Sequence, residues 1–351
     1  MQTVTIATAP PVIHPPGLGH AANDPPAWCP PDALGAYLED LMAAFRSPLS
    51  AGPAAPGSDG PLAESVFDLL TSRPFSYLGR SKAAPYRPKV LPSIHRDVAL
   101  GRSVRFYFDI GPGYHASVEP DRRGIDFEVG LAELLALRQV TLFRDAVRAV
   151  YPPGVHFWLV IDNLCGLYTN DVPLFHTEGY VHRLRTLIEA LGVGETVELL
   201  VESEAFTETE YRRVWRAAPA APPPTEVCDA DLENVARFLG RPCSRGEAAR
   251  RIEGYRRAGI VTETLLARVV DGVRLTQRAS PATLGFRSFP GGAQRMQVGE
   301  IVLAVRPDAK FHPLLLSSRN RRECELARVA TPAALPGAVA GLGLVRRLDD
   351  R

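Results

Sequence analysis

Residues 151–163 read YPPGVHFWLVIDN, and this stretch decides the fold. Tyr151-Pro152-Pro153-Gly154 cannot continue a helix, because proline lacks the amide and glycine favours chain reversal. VHFWLVI (155–161) is a near-continuous apolar run, as expected of a strand covered on both faces. Working outward, an amphipathic helix is expected over about 127–150. Leu131, Leu134, Leu135, Leu142, Phe143, Ala146, Val147 and Val150 lie on its apolar side, and Arg138, Arg144, Asp145 and Arg148 on its polar side. Before it, VRFYFDI (104–110) is rich in strand formers and is broken by Gly111-Pro112-Gly113-Tyr114. After it, a helix at about 176–191 leads to a strand, TVELLV, at 196–201. Strand, helix, strand, helix, strand predicts an α/β domain with a mostly parallel sheet and flanking helices.

The flanks read less regularly. Twelve of the 32 prolines lie in residues 1–61, read here as a Pro-rich N-terminal arm with one helix (32–46) and a linker, SPLSAGPAAPGSDGP (47–61). The α/β catalytic domain is placed at 62–331. It starts on a helix at 62–72, carries a helical insertion at about 207–270, and includes a strand at 299–305. Within the insertion, Asp229 or Asp231 suits a helix N-cap, and Ser244 with Glu247 fits a capping box. Residues 332–351 read as a C-terminal tail.

Composition narrows the function. The 351 residues carry 40 basic and 39 acidic side chains, a balance that argues against a nucleic-acid binder. No apolar run reaches the roughly 18–20 residues of a membrane span, and MQTVTIATAPPV lacks the basic and apolar regions of a signal peptide. The five cysteines (Cys29, Cys165, Cys228, Cys243, Cys324) have no CxxC or zinc spacing. They read as reduced thiols in a cytoplasmic protein, and Cys165 as a small buried hydrophobe. Only Lys82, Lys89 and Lys310 are lysines, so lysine chemistry has three candidates.

In an open α/β sheet, ligands bind beyond the carboxyl ends of the strands. Asp162 and Asn163 follow strand 155–161, and Asp109, Tyr114 and His115 stand at or after the end of strand 104–110. They read as a ligand-binding or acid/base set; the competing reading has Asp162 capping the next turn and His115 on a surface loop. Glu133 sits in an apolar stretch of helix, as either a buried, paired carboxylate or a solvent-facing one. Arg287 and Arg295 flank the turn Phe289-Pro290-Gly291-Gly292, suited to an anion or to a solvated hairpin. Gly111-Pro112-Gly113 is neither a GxGxxG fingerprint nor a P-loop. His176 and His182 are six residues apart, there is no HExxH, and no metal is implied. No GxSxG elbow is present.

Residues 98–190 resemble the isocyanide synthase family, also called the pyoverdine/dityrosine biosynthesis family. The resemblance lies in the order of parts: Gly101 to His115, a strand and Pro-containing loop; Asp126 to Leu137, an acidic lead into a helix; Tyr151 to Asn163; and Asn170-Asp171-Val172-Pro173, followed by His176 to Tyr180. The family's pieces read roughly PxFPxKS, GExxAL, YxPGAxxxxxSDGxxF and DxxVxxY. The resemblance implies a Rossmann-like core and an enzyme of specialised metabolism. Such an enzyme converts an amino-acid amine to an isonitrile with ribulose 5-phosphate as carbon donor. It implies small-molecule partners and no resident cofactor, the sugar phosphate being a co-substrate. On that reading Asp162, Glu133, His115 and Tyr114 are the catalytic candidates. Arg102, Arg287, Arg295, Lys82, Lys89, Asn163 and His176 are the substrate- or phosphate-binding ones. The family's loop lysine is absent, with Tyr114 or His115 in its place, and SDG is Ile161-Asp162-Asn163. Two alternatives stay open: a same-fold enzyme performing another amino-acid C–N transformation, such as N-formylation, and a non-catalytic homologue that kept the scaffold.

Overall fold

The computed structural model describes residues 24–46, 61–76, 78, 82–110, 114–116, 125–170, 172–219, 227–239, 242–276, 283–287, 301–306, 308–315, 325–339 and 341–346. Its centre is a five-stranded sheet in the order β5-β4-β1-β6-β7, with every neighbouring pair parallel. β1 is Val104–Ile110, β4 Val155–Ile161, β5 Val197–Val201, β6 Val273–Thr276 and β7 Leu284–Gly285. The expected α/β class and its three strand segments are present, with strands 104–110 and 155–161 as read from sequence.

Helices make the crossovers that parallel strands require. Helix α1 is Pro31–Arg46, α2 Leu62–Leu70, α3 Arg87–Ala99 and α4 Leu131–Arg148. A small antiparallel pair, β2 (Tyr114–Ala116) and β3 (Ile125–Phe127), lies between β1 and α4. α5 (Asn163–Asn170) and α6 (Leu174–Ala190) link β4 to β5, and α7 (Glu202–Ala205) to α10 link β5 to β6. Within that last crossover, α8 is Glu208–Ala217, α9 Asp229–Leu239 and α10 Arg245–Leu266. It is the helical insertion read from sequence. Ser244 Oγ accepts the Glu247 amide at 3.2 Å, as the capping pattern predicts. Val227, Val235 and Ala248 give the insertion a small core of its own.

Alternation along the strands gives the sheet two different faces. On one face Phe106, Phe108 and Phe157 meet Phe143 of α4 and Phe286, with centroids 5.3–6.0 Å apart. On the other face Tyr107 and Val160 meet Leu164, Phe206, Tyr211, Val261, Leu265 and Leu266 from the α5–α10 layer.

At the amino end of β1, buried Asp97 of α3 binds the Arg105 amide at 3.0 Å, Arg102 Nη2 at 2.8 Å and Arg105 Nη2 at 3.1 Å. Asp271, just before β6, pairs with Arg96 and Arg105, each at 2.5 Å. α3 has no counterpart among the helices read from sequence, because Pro88 and Pro92 lie within it. Pro88 sits in the first turn, where no intrahelical amide bond is lost. Gly154 turns the chain into β4 at φ +70°, a conformation that suits glycine.

The two ends of the chain are more integrated than their composition suggests. β8 (Ile301–Val305), β9 (Phe311–Leu315), β10 (Glu325–Val329) and β11 (Leu342–Arg346) form a second sheet in the order β10-β11-β8-β9. Residues 332–351 are therefore not simply a tail: Leu342 and Leu344 are buried in the main core, beside Leu303 and Val329. Likewise α1 buries Leu34 and Leu38, and Tyr37 meets the Phe311 ring at 6.0 Å. Alanine and glycine gave residues 332–351 little periodicity, and non-local pairing supplies the order of β11, whereas α1 is the helix expected at 32–46. The N-terminal stretch 1–23 and most of the linker, 47–60, lie outside the described residues.

Phe157 is fully buried and meets four other rings. Phe157→Ala is expected to lower unfolding free energy by about 3–5 kcal/mol in urea titrations. A loss below about 1 kcal/mol would contradict this account of the core.

Candidate active site at the carboxyl edge of the sheet

Strand parity and register assemble the site. Ile110 is level with Ile161, and Ile161 with Val201, so Asp162 and Glu202 stand side by side one residue beyond their strands. Asp109 shares the Tyr107 face of β1 and Asp162 the Val160 face of β4. All three carboxylates thus lie on the face covered by α5, α8 and α10.

Their partners differ. Glu202 is fully buried: its Oε2 accepts the Cys165 amide at 3.0 Å, and its Oε1 accepts the Thr262 hydroxyl of α10. Asp109 Oδ2 accepts Arg274 Nη2 at 3.0 Å, and Arg274 reaches Glu263 at 3.2 Å. Asp162 Oδ1 and Asp109 Oδ1 are enclosed with no hydrogen-bond partner. A buried acceptor left in this state is costly.

Electrostatics follow from the enclosure. Burial raises Asp162 well above the usual carboxylate range, and the charges of Glu202 and Asp109 push it the same way. Burial lifts Glu202 to about 7, although the Thr262 hydroxyl and the α5 amides oppose the rise. Burial, and after it Asp162, hold the Cys165 thiol well above its ordinary pKa. Burial also raises the Tyr211 phenol. Among the described residues, no three His, Cys, Asp or Glu side chains converge as metal ligands would.

The other candidates scatter. Asn163 joins the strand ends: its Nδ2 donates to Ser203 Oγ at 2.8 Å, and its Oδ1 accepts the Ser203 amide at 3.1 Å. His176, near the start of α6, is buried beside Phe175, and burial lowers its basicity. Glu133 is a half-buried, paired carboxylate. Its Oε2 accepts the Gly130 amide at 2.8 Å and its Oε1 accepts the Tyr180 hydroxyl at 3.3 Å, so it secures the start of α4.

Arg102 is at the opposite end of the sheet, held by Asp97, where it cannot serve an anion at the carboxyl edge. Arg287 follows β7 and donates its amide to the Phe75 carbonyl at 2.8 Å. Lys82 and Lys89 are exposed at and just before the start of α3. The Gly111–Gly113 turn, Arg295 with the Gly291-Gly292 turn, and Cys324 lie outside the described residues; Tyr114 and His115 are described in backbone only.

Sequence reasoning missed Glu202, Thr262, Tyr211 and Arg274. Glu202 carried a signal: it follows strand TVELLV as Asp162 follows VHFWLVI.

The fold and the carboxyl-edge acids define a protein of the open, parallel α/β class. Within that class, the chain is similar to the PvcA protein from Pseudomonas aeruginosa. The TM-score is 0.61 at 17% identity, covering 82% of this chain and 100% of that one. At this identity the likeness shows a shared fold. Tyrosyl-tRNA synthetase from Aeropyrum pernix, with a TM-score of 0.34 at 14% identity over 61% of this chain and 53% of that one, carries no argument. No family model matches the sequence, and no curated protein does. No helix among the described residues is long and apolar enough to cross a membrane.

The raised pKa values of Asp162 and Glu202 predict how stability depends on pH. Glu202 ionises near 4.5 when unfolded and near 7 when folded, so the folded chain holds the extra proton between those values. Stability is therefore expected to fall by roughly 3 kcal/mol as pH rises through this window, with Asp162 adding in the same direction. Glu202→Gln should flatten the fall in urea titrations. An unchanged slope in that variant would contradict the assignment.

Proposed function

We propose that the chain is an enzyme of the isocyanide synthase type. It would condense the amine of an amino acid with a ribulose 5-phosphate-like sugar phosphate and carry the amine nitrogen to an isonitrile. The observation that carries this reading is the enclosed, unpartnered Oδ1 of Asp162 at the carboxyl edge of the parallel sheet. It is joined by the resemblance of residues 98–190 to that family and by the fold shared with PvcA, which suggests an isocyanide synthase-like enzyme.

The chemistry asks for a group that is an acid first and a base afterwards. When an amine adds to a ketone, the carbinolamine hydroxyl leaves as water once it is protonated, and a C=N bond forms. A neutral carboxylic acid supplies that proton. The resulting carboxylate then removes a proton from carbon next to the imine. Asp162, whose pKa is raised by burial and by the neighbouring acids, suits both steps. His115 and Tyr114 of β2 are proposed to act beside it, and Arg287 and Arg295 to bind the phosphate.

One observation favours a second reading. The loop between β1 and β2 has no lysine, and Lys82 and Lys89 are exposed at and before the start of α3. A same-fold enzyme that modifies an amino-acid amine without a sugar phosphate, by N-formylation for example, fits that loss.

Incubation with ribulose 5-phosphate and each amino acid in turn, followed by mass spectrometry, separates the readings. The isonitrile reading expects sugar phosphate to be consumed and the product to carry its carbon; no consumption with any amino acid would overturn it. Asp162→Asn, which cannot release a proton, is expected to lower turnover by about 100-fold or more. Undiminished turnover would remove Asp162 from the mechanism.

A further inference from the structure

We infer that Glu202 is a positioning residue for Asp162: it takes the capping amide at the start of α5 and so leaves Asp162 Oδ1 free for substrate. The Asp162 amide is the backbone donor to that carboxyl. The inference rests on the reading of Asp162 given above.

An aspartate directly before a helix ordinarily spends its carboxylate on the amide of the second or third helical residue. Asp162 occupies that place. Its carbonyl accepts the Gly166 amide at 3.0 Å, the first bond of α5. The amides its side chain would cap are those of Leu164 and Cys165. The Cys165 amide instead donates to Glu202 Oε2 at 3.0 Å, and the Leu164 amide faces the same carboxylate. Thr262 fixes the other Glu202 oxygen from α10. The helix start is therefore capped from the neighbouring strand, and Asp162 Oδ1 keeps no donor.

The arrangement couples the two acids. Strand ends in a parallel pair lie about 4.8 Å apart, so a negative Glu202 opposes ionisation of Asp162. The other groups facing Asp162 are Asp109 from β1, Cys165 from α5 and Tyr211 from α8, while Arg274 of β6 is held by Asp109 and Glu263.

Two variants of the full chain test the role. Glu202→Gln keeps an oxygen for the Cys165 amide and can donate its amide to Thr262, so the cap survives and only the charge is lost. Glu202→Ala frees the amide, and Asp162 is expected to swing onto it. Carboxyl carbon NMR titration of Asp162 should then show its pKa falling by about one unit in Glu202→Gln and further in Glu202→Ala. The matching limb of the pH–rate profile moves to lower pH in Glu202→Gln. Turnover falls by about 100-fold in Glu202→Ala, as expected for a displaced catalytic group. If Asp162 titrates alike in Glu202→Gln and Glu202→Ala, or if the Cys165 amide proton shift in the wild-type chain follows the titration of Asp162 rather than that of Glu202, the inference is overturned; the second readout does not need Glu202→Ala to fold. Because the NMR readout needs no turnover, an inactive assay or a silent Asp162→Asn would count against the proposed reaction and not against the positioning role.

Discussion

The parallel register of β1, β4 and β5 is the constraint on which the rest of the structure depends. Parallel neighbours pair evenly, so residues at equal register stand level and share a face. With Ile110, Ile161 and Val201 aligned, the chain places Asp109, Asp162 and Glu202 on one side of one edge. A one-residue slip would turn each of these acids toward the phenylalanine cluster on the opposite face. That cluster of Phe106, Phe108, Phe143, Phe157 and Phe286 is thus more than bulk apolar area, because its ring contacts favour the register that builds the site.

The second layer over those acids is apolar where it touches the sheet. Leu164, Phe206, Tyr211, Val261, Leu265 and Leu266 enclose the carboxylates while burying Tyr107 and Val160. The same packing that stabilises the helical insertion therefore desolvates the acids and raises their affinity for protons. Tyr168, Tyr211 and Trp215 extend this layer, with centroids 5.0–6.3 Å apart, and Arg257 lies over the Trp215 ring at 5.3 Å.

Local pattern carried a large share of this. The strands of the parallel core and the helices beside them are visible in YPPGVHFWLVIDN and VRFYFDI, because apolar runs and breakers are local signals. Asp162 was legible as a strand-end acid for the same reason. The second sheet was not, since β8, β10 and β11 are ordered by pairing between segments that lie far apart in sequence. Glu202, Thr262 and Arg274 come from three separate elements, and only the folded register shows that they converge. Arg102 and Glu133 illustrate the reverse. Both look functional by type and position, yet their bonds to Asp97, and to Gly130 and Tyr180, serve strand and helix ends.

The two ends of the sheet treat buried carboxylates in opposite ways. At the amino edge Asp97 is fully engaged by the Arg102 and Arg105 guanidinium groups and the Arg105 amide, and Tyr151 adds a bond to the Arg102 carbonyl at 2.8 Å. Such a network joins α3 to β1 and leaves no acceptor for a ligand. At the carboxyl edge, one oxygen each of Asp109 and Asp162 remains without a donor, although the Arg274 guanidinium already reaches the other oxygen of Asp109. Leaving such groups unpaired costs about 1–3 kcal/mol each, so an arrangement that keeps them is more economically understood as waiting for a donor than as poor packing. Saturation at one edge and deficit at the other is why the carboxyl edge, rather than the more highly charged amino edge, is where chemistry belongs in this fold.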